Sequence, residues 1–127
     1  MTEPARIVDP VLLIRVPNAF RPGMSDVALY EATRGVWKIG PRRDHARYAL
    51  AVHEGIVHEV YAIEHWQPAL TTPYATRKLD PALARGRWEF VGKRAPDTIR
   101  KRYLGKSLGH YFKKGAQNPI RYINVPE

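Results

Sequence analysis

The chain has 127 residues, no cysteine and a formal net charge of +9. That length supports one domain with its own hydrophobic core, and the missing cysteine excludes a disulfide framework, a thiolate nucleophile and a cysteine-ligated zinc site. The charge is uneven, because residues 1–84 carry ten Lys/Arg against nine Asp/Glu and residues 85–127 carry eleven against three.

A one-sided basic surface is the footprint of a polyanionic partner, since each neutralised phosphate releases condensed counterions. A merely solubilising surface is the alternative. Met1-Thr2-Glu3-Pro4 is not a basic leader, and no apolar run reaches the length of a signal core or a membrane span. A soluble cytoplasmic protein with no membrane partner is expected.

Residues 1–10 read as a loose lead-in without a role, because Pro4 and Pro10 interrupt regular pairing. The apolar run from Val11 to Val16 predicts a first strand, stopped by Pro17, and Asn18 to Gly23 predicts a loop. Ser25 fits a helix N-cap and Asp26 the first turn, so a helix is expected from Ser25 to about Arg34, ended by Gly35. Val27, Ala28 and Tyr30 would form its inward face. Gly35 to Gly40 is a glycine-bracketed segment around Trp37, continued by the basic loop Pro41-Arg42-Arg43. Trp37 is placed either to stack on a base or to fill the core.

Two runs rich in Val, Ile, Ala and Tyr flank Glu54-Gly55 between Arg47 and Trp66, which predicts a β-hairpin. Tyr48, Leu50 and Val52 point one way, while Ala49 and Ala51 leave the other face small. Such a strand belongs in the middle of a sheet covered on both sides. From Trp66 to about Gly86 no period is visible, and Tyr74, Arg77 and Lys78 make this a candidate binding loop.

Arg87 to Gly92 alternates as a strand, with Trp88 and Phe90 on one side and Arg87, Glu89 and Val91 on the other. Pro96 and Asp97 start a helix to about Leu104 in which Ile99 and Tyr103 share a face. A short helix from Ser107 to Phe112, a loop from Lys113 to Pro119 and a closing strand from Ile120 to Asn124 complete the chain. The fold class expected is α+β, a curved mixed β-barrel with two or three short helices.

Binding a single base takes an aromatic surface, amide groups for its edge and cations for the flanking phosphates. The candidates for base contact are Asn18, Tyr30, Trp37, Trp66, Tyr74, Gln117 and Asn118. Those for phosphate contact are Arg21, Arg34, Lys38, Arg42, Arg43, Arg100, Lys113 and Lys114. Asn118 before Pro119 equally fits a turn in which the side chain bonds its own backbone. His53 and His58 with Glu54 or Glu59 match no standard metal spacing, so no metal or other cofactor is expected. Catalysis is weakly supported: His58 or His110 beside Arg or Lys offers the parts of a small metal-independent ribonuclease, with nothing to fix them in space.

The segments VPNAFRPGMSDVALYEATRGVWKIG, YALAVHEGIVHEVYAIEHW, RWEFVG and GAQNPIRYIN together resemble the PUA-like superfamily, which includes SRA, EVE, YTH and ASCH modules. More narrowly, residues 11–124 resemble small bacterial domains that read 5-methylcytosine in DNA and also occur fused to HNH endonucleases in modification-dependent restriction. The resemblance implies a curved barrel and a pocket for an extruded base between the first strand and helix and the central hairpin, near Asn18, Tyr30, Trp37 and Trp66. No HNH segment is present, so cleavage would belong to a nuclease partner. The expected function is binding of methylated double-stranded DNA, not catalysis; the alternatives are an RNA-binding module, the ribonuclease and a protein-interaction adaptor.

Overall fold

The structure is a computed structural model that describes residues 3–16, 21–112 and 118–127. Among them it is a mixed α+β fold. Strands β1 (Val11–Arg15), β2 (Gly35–Trp37), β3 (Tyr48–His53), β4 (Ile56–Pro68), β5 (Trp88–Arg94) and β6 (Ile120–Ile123) curl into a half-barrel in the order β2-β5-β4-β3-β1-β6. Three α-helices, α1 (Asp26–Arg34), α2 (Pro81–Ala84) and α3 (Asp97–Tyr103), and two 3-10 turns, Pro41–His45 and Gly109–Tyr111, complete it.

The expected hairpin is the middle of this sheet. Glu54 and Gly55 both take positive φ, 50° and 76°, the pairing that lets a two-residue turn follow the right-handed twist of its strands. β3 pairs antiparallel with β4 and parallel with β1, with Leu13 opposite Leu50. Val11, Leu13, Tyr48, Leu50 and Val52 pack on one face with Tyr103 of α3 and Leu108, and Ile99 lies against the same cluster. On the other face Leu12, Ile14, Ala49, Ala51, Tyr61 and Phe90 pack with Ala32, Leu29 and Tyr30 of α1. The two alanines keep this side of β3 shallow where α1 comes down on it.

Several expectations need correction. Residues 3–10 are not loose: Ala5 and Ile7 are buried, the Ala5 amide donates to Ser107 at 3.0 Å, and the Val8 and Asp9 amides donate to the Tyr103 hydroxyl. Their partners lie about a hundred residues away, so no local pattern announces them. Val27 is 54% exposed, and Leu29 and Ala32 take its place on the inward face of α1. Gly35 to Trp37 is an edge strand on β5, and Pro41 to His45 a 3-10 turn, where a loop was expected. The second short helix contracts to one 3-10 turn. No helix among the described residues is long and apolar enough to cross a membrane.

Candidate functional site

The aperiodic segment after Pro68 owes its shape to two buried carboxylates. Glu89 of β5, 0% exposed, accepts from the Leu70 amide at 2.8 Å, the Thr72 amide at 3.1 Å, the Thr72 hydroxyl at 2.7 Å and Gln67 at 2.7 Å. Glu31 of α1 accepts from the Ala75 and Thr76 amides, each at 2.7 Å, and from the Thr76 hydroxyl. Arg34 joins the two sides: it pairs with Glu89 at 3.2 Å, donates to Thr72 and to the Pro73 carbonyl, and lies 3.8 Å from the centre of the Tyr74 ring.

Burial alone would raise both carboxyls. For Glu31 the Thr76 hydroxyl, the Ala75 and Thr76 amides and the Arg34 charge outweigh it, and for Glu89 the Gln67, Thr72 and Leu70 donors do so, holding each below the ordinary carboxylate range. Burial pushes the Tyr74 phenol up, and the Glu89 carboxylate reinforces this against the Arg34 charge.

The aromatic residues expected to meet a base are turned inward. The Tyr30 hydroxyl accepts from the Gly92 amide at 2.9 Å and its ring lies edge-on to Phe90. Trp37 donates from Nε1 to the Thr33 carbonyl at 2.8 Å, and Trp66 sets its ring 5.4 Å from Phe90, centre to centre. Tyr74 is stacked against Arg34 and Arg77. Asn118 takes the local alternative, its side-chain oxygen accepting from the Ile120 amide at 3.0 Å. Asn18, Gln117, Lys113 and Lys114 lie outside the described residues.

Many of the cations are engaged by the protein itself. Arg34 is buried in the ion pair already described. Arg43 is also buried, with its guanidinium 3.6 Å from the centre of the Trp88 ring. Arg42 donates twice to the Val125 carbonyl and stacks on Tyr122. Arg100 grips buried Glu59 with two nitrogens, at 2.8 and 3.1 Å. Arg94 also reaches Glu59, Arg102 reaches Asp9, and Lys106 reaches Glu3. The surplus of cations late in the chain is thus partly balanced in space by acids from its first half. Arg21 and Lys38 remain exposed.

A hollow of about 630 Å³ lies where the ends of β1 and β3 meet the Gly109–Tyr111 turn, bordered by Arg15, Val52, His53, Glu54 and Phe112. Arg15 holds its guanidinium 5.0 Å from the centre of the Phe112 ring and donates to the Asn118 carbonyl at 2.9 Å. His58 faces His53 with ring centres 6.0 Å apart, and burial pushes its imidazole down against a hydrogen bond with the His53 backbone that favours the charged form. His110 stacks on Tyr111. Neither His58 nor His110 borders this hollow. Among the described residues no group of three or more His, Asp or Glu is placed to hold a metal ion.

Sequence reasoning missed Arg15, His53 and Phe112 as neighbours because they come from three separate elements. It likewise passed over Trp88, Arg85 and Arg87, which meet at a second hollow of about 490 Å³ beyond Pro68. Compared with known proteins, the chain matches no family model, no curated protein and no solved structure.

Proposed function

We propose that the protein is a PUA-like, cytoplasmic DNA-binding domain that takes a modified base, first of all 5-methylcytosine, into the hollow between Arg15, His53 and Phe112. The juxtaposition of the Phe112 ring with Arg15 at the mouth of that hollow carries this reading. An aromatic face serves a base, a cation serves its phosphate, and His53 and Glu54 offer polar atoms to a base edge. The net charge of +9 supplies attraction to any polyanion. Lys113 and Lys114, which follow Phe112 directly in sequence, are the proposed phosphate contacts. The half-barrel is the coarse architecture that such a domain requires. In this reading the protein binds, and any cleavage is the work of a nuclease partner.

The test is a fluorescence-anisotropy titration of matched duplexes, plain and cytosine-methylated, with RNA of the same sequence, at two salt concentrations. A methyl-dependent gain that survives the higher salt and is lost in Phe112→Ala is the expected result. Equal, salt-labile binding of all three would reduce the protein to a basic surface, and tighter binding of RNA would replace DNA as the partner.

A further inference from the structure

The long strand β4 has a hollow at each end. At its start lies the Phe112 hollow; past Pro68 lies the second, bordered by Trp88, Arg85 and Arg87. Its frame is fixed: Pro68 pairs with Trp88, the Ala69 amide donates to Arg87, the Arg87 amide donates to Ala84, and Glu89 anchors Leu70. A smaller hollow of about 220 Å³ shares Ala84 and Arg87 with it and adds Arg77 and Lys78. The one acid lining the two is Asp80, whose side chain is turned to the Ala82 amide at 2.9 Å, capping α2.

Trp88 is held from one side by a cation. Buried Arg43 stands 3.6 Å from the ring centre and does not border the hollow, so the hollow opens on another side of the indole. A half-buried indole fixed in this way accepts a second cation or a planar π-system. Arg85 and Arg87 repel a cation, which leaves a planar ligand carrying negative charge. A paired duplex keeps its base faces stacked out of reach, whereas an unpaired nucleotide offers one face and a phosphate together.

We infer that the Trp88 hollow is a site for an unpaired nucleotide of a single strand, its base on the indole and its phosphates on Arg85, Arg87 and Lys78. This rests on the nucleic-acid reading above but not on the modified base. The experiment titrates labelled oligo-dT and oligo-U of about 12 nucleotides, a length within the range one such surface covers, against a blunt duplex. Trp88→Leu is expected to weaken single-strand binding about 5- to 150-fold, the value of one base stacked on an aromatic side chain. Arg85→Ala/Arg87→Ala is expected to lower the logarithmic salt slope by about 1.4. This second variant leaves the indole in place and tests the site even where Trp88→Leu fails to fold.

Single-strand binding that depends on Trp88 supports the site even where no methyl preference exists, whichever of the two oligonucleotides binds more tightly. A normal methylated-duplex response with no single-strand binding overturns this site and leaves the reader standing. Binding of neither overturns both, and single-strand binding indifferent to Arg85 and Arg87 overturns the site.

Discussion

Arg34 and Glu89 face each other at 3.2 Å with side chains 5% and 0% exposed, one from the last turn of α1 and the other from the second residue of β5. Their contact joins a helix, a strand and the Pro68–Thr76 segment at one point. Glu89→Ala leaves Arg34 charged and buried and strips an acceptor from Leu70, Thr72 and Gln67. The expected loss is about 3–5 kcal/mol, as for removing one partner of a buried ion pair. Urea denaturation checks it, and a loss under about 1 kcal/mol would mean that water replaces the carboxylate.

Glu31 and Glu89 predict an acid-labile fold. Both carboxyls lie below the ordinary carboxylate range in the folded protein. A depressed carboxyl contributes stability that is complete above its unfolded value and lost as the pH falls toward its folded one. The melting temperature is therefore expected to be insensitive to these groups from pH 7 to about 5 and to drop below pH 4.5. Glu31→Gln should melt lower at neutral pH with a shallower acid limb; an acid limb parallel to wild type would assign the effect to other groups.

Arg100 and the pair Lys113 and Lys114 are expected to behave differently. Arg100 holds Glu59, which still has Arg94 at 3.1 Å, so Arg100→Ala should cost on the order of 1–2 kcal/mol of stability and leave the salt slope of the proposed DNA binding unchanged. Lys113→Ala/Lys114→Ala should reduce that slope by about 1.8, two phosphates' worth on a duplex. A flattened slope in Arg100→Ala would show that this side chain leaves Glu59 for the ligand.

Trp37 separates packing from recognition. Its ring lies against the α1-side core and its Nε1 donates to Thr33. Trp37→Ala is expected to cost about 3 kcal/mol while the remaining folded protein keeps the proposed preference for a methylated duplex. Loss of that preference at unchanged stability would return the indole to the ligand.

The frame was readable wherever the signal is local. Alternation in Tyr48 to Val52, the Glu54-Gly55 turn and the Ser25 cap are each decided by a few adjacent residues, and each is where it was expected, Ser25 accepting from the Ala28 amide at 3.1 Å. Charged residues that finish inside the protein were not readable. Glu31, Arg34 and Glu89 look like surface residues until partners 17 to 55 residues away along the chain are supplied. The same holds for the candidate site, since Tyr30 and Trp37 have the composition of a base pocket and the geometry of a core. Nothing in the sequence near Phe112 foretells Arg15, which comes to it from the first strand.

The position of β1 bears on how the protein is made. Val11 to Ile14 have no exposed surface, and their two edges are covered by β3 and by β6, the last strand among the described residues. During synthesis one edge of this apolar strand therefore waits until Ile120–Ile123 have left the ribosome, long after β3 is present to pair with the other. An uncovered strand edge is a template for pairing with another chain. Nascent or prematurely terminated chains lacking those four residues would be the aggregation-prone species, and a chaperone that shields extended apolar segments would find its substrate in β1.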